Sequence, residues 1–244
     1  MCNRYGYNHP LKRLIDEFST VGLIRWNGLE PNAPLDQIWP TDRAPIIRTV
    51  DGERSLDMVR WGIVPNTWRG PIKAWTVQLR GNPLTNARAE TVATTSTFRD
   101  AYAARRRLVP ATNYFEWTTD AERPKGKKLM WRFTVSAQEV FAFPGIWDHA
   151  ETADGPLDSF ALLTSAPGPD QAPYHNRQPV ILERAQWAAW LDVGNDMAPS
   201  FVGSPAGSIA VERFSRRRRR RCAAFDAAWT ARDGSGQLGV TTPK

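Results

Sequence analysis

Cys2 is the residue whose chemistry stands out first. Removal of Met1, the usual fate of an initiator methionine before a small side chain, leaves Cys2 with an α-amine and a thiol on adjacent carbons. The amine, with an ordinary pKa of about 7.7–8.0, and the thiol, at about 8.5, are both partly deprotonated near neutral pH and both are usable nucleophiles. Together they trap an aldehyde. The amine condenses to an imine with loss of water, the thiol closes on the same carbon, and a five-membered thiazolidine results. The competing reading is that Cys2 is only a small residue in a frayed chain end.

Such chemistry needs proton transfer and a place for the substrate. Histidine is scarce, with only His9, His149 and His175, and His175 stands beside an Asn and an Arg in a loop, where it reads equally as a general acid or base and as a surface histidine. Glu116 lies between Phe115 and Trp117. Pointing inward, its charged form would be disfavoured and its pKa raised; strand alternation allows it equally to point outward while the rings pack inside. Arg88 and Arg177 have the fork geometry that binds phosphate, although single arginines are mostly solvated. The run Arg216–Arg221 reads as a basic tail, either adding salt-dependent, sequence-independent affinity for nucleic acid or having no function.

The elements that would position these residues follow from pattern. With 244 residues the chain can bury a sizeable core as one large domain. Its 11 Trp, 10 Phe and 5 Tyr mark it as globular and supply core. A net charge of +7 and a pI near 9.8 favour a polyanionic partner. Two cysteines make neither a disulfide framework nor a zinc site, which suits an intracellular, cytoplasmic protein, and no apolar run reaches membrane-spanning length. Neither metal nor cofactor is expected.

Residues 10–21 carry Leu11, Leu14, Ile15 and Phe18 at helical spacing. Residues 26–44, rich in Pro, Asn and Asp, read as loop. Pro45–Val50 and Leu56–Val64 read as a hairpin around Asp51-Gly52-Glu53, and the second strand runs into a Gly- and Pro-rich loop bearing Trp68. Helices are expected over 98–106 and 184–191. Strands are expected within 108–117 and over 129–136, 140–147 and 159–164, with a hairpin tip at 125–128. Many short strands, few helices and no βαβ alternation predict an α+β domain. Its core would be a strongly curved, barrel-like, mainly antiparallel sheet flanked by a few helices.

Several ordered motifs closely resemble the SRAP family (SOS response-associated peptidase). They are Met1-Cys2-x-Arg4-Tyr5, Trp61-Gly62-Ile63-Val64-Pro65, Asn86-Ala87-Arg88-Ala89-Glu90-Thr91, Phe98-Arg99, Leu108-Val109-Pro110, Phe115-Glu116-Trp117, Ala142-Phe143-Pro144-Gly145-Ile146-Trp147 and His175-x-Arg177-x-Pro179-Val180. The resemblance covers about residues 1–192. It implies a monomeric SRAP fold over 1–215, with 216–244 as a flexible basic tail, and a partner that is single-stranded DNA carrying abasic sites, crosslinked covalently during DNA repair. It further implies Cys2 as the nucleophile, Asn86 holding amine and substrate, Glu116 shuttling protons and His175 assisting sugar-ring opening. Arg4, Arg88 and Arg177 would grip phosphates, and Pro40 and Trp68 would line the strand's path; association with the nucleoid would follow from binding damaged DNA.

The chain departs from the family pattern in places. Asn3 stands where the family commonly has Gly, Gln37-Ile38-Trp39-Pro40 replaces the usual Asn-x-Ala-Pro, and the tail from Arg216 does not look like the family's closing strand. Two other functions compete: an N-terminal-nucleophile peptidase, for which one nucleophile suffices, and a non-catalytic basic module for single-stranded nucleic acid.

Overall fold

A computed structural model describes residues 3–26, 32–120, 128–194 and 201–215. The first strands are β1 (Tyr5–Tyr7), β2 (Ile24–Arg25), β3 (Leu35–Ile38), β4 (Arg43–Val50), β5 (Glu53–Trp61) and β6 (Asn86–Arg88). They are followed by β7 (Arg106–Ala111), β8 (Asn113–Thr119), β9 (Lys128–Val135), β10 (Phe141–Thr152), β11 (Gly155–Ser165), β12 (Gln178–Pro179) and β13 (Ile209–Arg213). The helices are α1 (Arg13–Glu17), α2 (Ile72–Gln78), α3 (Arg99–Ala104) and α4 (Trp187–Leu191), with 3-10 turns at Ser19–Val21 and Arg184–Gln186.

The expected hairpin is present. Asp51 and Gly52 take φ of 50° and 79°, the paired positive values of a tight hairpin turn, and β4 and β5 pair from Val50↔Glu53 to Arg43↔Arg60. From β4 the sheet continues antiparallel through β7, β10 and β11, and β11 returns to pair in parallel with β5 at Ser159↔Arg60 and Phe160↔Trp61. That last pairing closes β4, β5, β7, β10 and β11 into a five-stranded barrel, and β6 adds to β11 in parallel. A second sheet runs β13-β9-β8-β1-β3. The two sheets join where Thr112 separates β7 from β8.

Strand alternation sorts the core. Ile46, Val59, Trp61, Val109, Phe143 and Phe160 fill one cluster with Tyr5, Tyr114 and Phe133 of the second sheet. Their chain neighbours Ile47 and Leu108 turn to the other face, where they pack with Leu14, Phe18, Trp187 and Trp190 from the helical segments. Phe18 and Trp187 stack at 4.1 Å and 11°.

Several boundaries differ from expectation for physical reasons. The helix expected over 10–21 is α1 followed by a 3-10 turn. The helix expected to reach 106 ends at Ala104, because Arg106 is taken up by pairing with Ile146. The segment 26–44 contains β3. The stretch after Trp68 contains α2, which starts after Pro71 and buries Trp75. A closing strand is present, but at Ile209–Arg213, ahead of the arginine run, where it pairs with β9. The hairpin tip expected at 125–128 falls outside the described residues, save Lys128, and so does the tail 216–244.

Candidate functional site

β1 is the element from which the site is built. Its three residues are buried, and Tyr5 meets Trp61 at 5.0 Å and Phe143 at 5.8 Å in edge-on contacts. Gly6 has to be glycine, since a Cβ there would lie 2.4 Å from the Asp36 carbonyl oxygen. Ahead of β1, the backbone N–H of Phe115 donates to the Arg4 carbonyl at 3.0 Å. The Arg4 guanidinium is buried between the rings of Trp39, at 4.4 Å, and Phe115, at 4.7 Å. Asn3, the described residue that follows Cys2 in the chain, accepts at Oδ1 from the Thr85 hydroxyl at 3.3 Å.

Thr85 continues this contact to Asn86. The Asn86 amide donates from Nδ2 to Thr85 Oγ1 at 2.8 Å, so the Asn86 carbonyl oxygen is directed away from Thr85 and acts as an acceptor. Thr85 is itself 4 % exposed, and its carbonyl accepts from the Trp61 indole at 3.0 Å. Asn86 and Arg88 lie on one face of β6 while Ala87 enters the core.

Glu116 points inward, which settles the alternation left open by sequence. It is 2 % exposed on β8, on the same face as Tyr114, and opposite Trp131 of β9. Burial pushes its carboxyl from 4.5 to about 7, so near neutral pH it can both give and take a proton.

His175 is carried by the loop between β11 and β12, and that loop is tied to Glu116's strand. The Tyr114 hydroxyl donates to Oε1 of the fully buried Gln171 at 3.0 Å, and Gln171 accepts the His175 N–H at its carbonyl at 3.1 Å. Tyr174 packs edge-on against Trp131 at 4.9 Å and Phe133 at 5.4 Å. The Arg177 N–H donates to His175 Nδ1 at 2.9 Å, which fixes Nδ1 as the acceptor and places the proton of the neutral ring on Nε2. Partial burial holds the His175 pKa below its ordinary value.

The residues expected along a nucleic-acid path fall into two groups. Arg88 is exposed, Pro40 is half-buried in the turn Trp39–Asp42, and that turn is joined to Trp61 by the Thr41 N–H at 2.8 Å. Trp68 sits on the loop after β5 but folds back, its ring 5.1 Å from Trp75 and lying over Gly70, where a Cβ would come within 2.8 Å of it. Arg4 and Arg177 are turned inward. Arg177 makes a bidentate pair with Glu90 at 2.7 and 2.8 Å and donates to the Thr164 carbonyl at 2.6 Å. Sequence reasoning missed Thr85, Glu90 and Gln171. Thr85 and Glu90 lie beside or within the quoted motif around Asn86, while Gln171 gave no local signal.

Asn86 is therefore joined through Thr85 to Asn3, and the strand of Glu116, to which the His175 loop is tied, is joined to Arg4; Cys2 lies outside the described residues. Among the described residues no cluster of three or more His, Cys, Asp or Glu could hold a metal, and no helix is long and apolar enough to cross a membrane.

The family model described as SOS response associated peptidase (SRAP) matches residues 1–211. The abasic site processing protein YoaM of Bacillus subtilis is 27 % identical over 206 residues, covering 84 % of each chain. The abasic site processing protein YedK of Escherichia coli is 25 % identical over 181 residues, covering 72 % of each. Among solved structures, a protein from Bacteroides thetaiotaomicron superposes with a TM-score of 0.73 at 19 % identity, covering 88 % of this chain and 93 % of its own. One from Bordetella bronchiseptica gives 0.70 at 26 %, covering 88 % and 100 %.

Proposed function

Because this chain belongs to the SRAP family, and relatives across most of its length are named abasic site processing proteins, we propose that it captures abasic sites in single-stranded DNA through a thiazolidine at Cys2. One observation carries this reading. A carboxyl with a pKa of about 7 is buried at Glu116, next to the residue whose backbone holds Arg4 of the N-terminal segment. An aldehyde trap at an N-terminal aminothiol needs such a group.

The abasic sugar opens from its hemiacetal to the aldehyde: the imidazolium form of His175 gives its Nε2 proton to the ring oxygen as the ring C–O bond breaks, and the anomeric hydroxyl loses its proton to water. After Met1 is removed, the Cys2 amine adds to the aldehyde carbon to give a carbinolamine. Glu116 protonates the departing hydroxyl, water leaves, and the carboxylate takes back the proton from nitrogen as the imine forms. The thiol sulfur then bonds to the imine carbon and its proton passes to the nitrogen, closing the ring. The net change is aldehyde plus aminothiol to thiazolidine plus one water. The Asn86 carbonyl oxygen accepts from the amine and orients its lone pair. Arg88 contacts a flanking phosphate, and Pro40 and Trp68 line the strand, base stacking on Trp68 requiring the ring to leave its seat on Gly70.

The test is direct. Protein mixed with a single-stranded oligonucleotide carrying one abasic site should give a heat-stable band of the summed mass on a denaturing gel, and Cys2→Ser should abolish it. A peptidase that uses only an N-terminal nucleophile would keep much of its activity in that variant. No band with the wild-type protein rejects the proposal, and a lesion-indifferent, salt-sensitive complex without a covalent product would identify a binding module instead.

A further inference from the structure

The Glu90–Arg177 pair joins two segments that the proposed chemistry uses. Glu90 follows β6, which carries Asn86, and Arg177 immediately precedes β12, two residues after His175. Both segments lie against the end of β11: β6 pairs Arg88 with Thr164, and β12 pairs Pro179 with Thr164. The guanidinium bridges them, taking both Glu90 carboxylate oxygens and the Thr164 carbonyl. The Arg177 side chain is 16 % exposed and the Glu90 side chain 48 %, so the carboxylate shields the cation from the surface side. The Glu90 carboxyl is held below its ordinary pKa by the Arg177 guanidinium, so the carboxylate stays charged across the neutral range.

The same residue's backbone sets the histidine. The Arg177 N–H donates to His175 Nδ1 at 2.9 Å, and the Arg177 carbonyl lies 3.2 Å from that nitrogen. With Nδ1 as acceptor the neutral ring carries its proton on Nε2; once the ring is protonated, Nδ1–H can instead donate to the carbonyl. Both states of the imidazole thus have a partner in the Arg177 backbone, provided that backbone is held still. The Gln171 side-chain amide donates to the Arg177 carbonyl at 3.3 Å, and the pair to Glu90 anchors the side chain of the same residue.

Resting on the reading above, we propose that Glu90 is a positioning residue for His175, acting through Arg177. The pair orients the proton-donating edge of the imidazole at no cost during the reaction.

Glu90→Gln keeps size and one acceptor but loses the charged bidentate pair, and its partial exposure makes folding of the variant straightforward to verify by thermal unfolding. The expected result is roughly a ten- to hundredfold slower crosslink to a natural, ring-closed abasic site. Capture of an open-chain aldehyde on the same oligonucleotide, which needs no ring opening, should change by no more than about twofold. In a His175→Gln background the Glu90→Gln change should add nothing further, the sign of two residues acting as one unit. Arg177→Lys, which cannot form the fork, should give the same selectivity.

A readout without DNA separates this inference from the function it rests on. The Arg177 amide, protected in the wild type by His175 Nδ1, should exchange roughly tenfold faster in Glu90→Gln, as expected for loss of about one hydrogen bond's net stabilisation. Equal slowing of both substrates, or unchanged Arg177 exchange, would overturn the positioning role. Tighter binding to intact single strands with an unchanged substrate ratio would show instead that Glu90 competes with phosphate for Arg177. If the wild type crosslinks neither substrate, the proposed function has failed, and the exchange measurement still decides the positioning role.

Discussion

Glu116→Gln makes a quantitative claim about the buried carboxyl. The shift from 4.5 to about 7, at about 1.36 kcal/mol per pH unit, corresponds to about 3 kcal/mol of preference for the protonated form in the folded state. Below pH 4.5 folded and unfolded chains both hold the proton and the group is neutral in its effect. Between 4.5 and about 7 the folded protein keeps a proton that the unfolded chain has released, so stability falls as pH rises, and above 7 the loss is complete. Glutamine carries no such titration. The variant should therefore gain about 2–3 kcal/mol on the wild type between pH 5 and pH 8, read from urea unfolding at both pH values. The same substitution should slow single-turnover crosslinking by about 10²–10⁴-fold, the typical contribution of a positioned acid–base group, and should erase an inflection near pH 7 from the rate profile. A stability difference independent of pH would mean that the carboxyl is solvated or paired as an anion. A wild-type rate and profile in a folded Glu116→Gln protein would remove it from the chemistry.

Other consequences are more local. Thr85→Val replaces the hydroxyl joining Asn3 to Asn86 by a methyl and leaves the Asn86 amide without that partner, so crosslinking should slow while stability falls by about 1–3 kcal/mol; an unchanged rate would show that Asn86 needs no such alignment. Arg107 is fully buried over Phe160 at 4.5 Å, none of its three guanidinium nitrogens has a hydrogen-bond partner among the described residues, and desolvation with Arg48 nearby pulls its pKa well down. Arg107→Met should therefore stabilise the protein by about 1–4 kcal/mol in denaturant unfolding, and a loss of stability would point to a partner for that cation. Protein competent to crosslink should lack Met1 by intact mass, and fully retained Met1 in crosslinking protein would exclude the Cys2 amine from the reaction.

What sequence could give was set by how local each cause is. The β4–β5 hairpin was legible because Asp51-Gly52 specifies its own turn, and the curved, mainly antiparallel sheet followed from the density of short strands. The barrel's closure was not, since it rests on a parallel pairing between β5 and β11, about a hundred residues apart along the chain. Helix α2 carried a usable signal, with Ile72, Trp75 and Leu79 spaced as one helical face after Pro71, but Pro and Gly on both sides made the segment read as irregular. Glu116 shows the limit most clearly. Alternation on β8 admits two solutions, and the inward one is selected by the Tyr114 hydroxyl on Gln171 and by Tyr174 on Trp131.

The arginines divide on the same principle. A lone arginine in a sequence reads as a solvated cation or a phosphate contact, because the partner that would say otherwise is distant. Arg177 meets Glu90 from 87 residues away, and Arg4 meets Met130 from 126. Each is fixed inside the protein, Arg4 bracing the segment that follows Cys2 and Arg177 bracing His175. Of the three arginines that the family resemblance assigned to phosphates, Arg88 alone is exposed on its strand. Single-strand affinity should therefore lose about one counterion's worth of salt dependence, a slope of roughly 0.7, with Arg88→Ala. Substitution of Arg4 or Arg177 should also slow capture, because each is held in place by the protein and has geometry to lose.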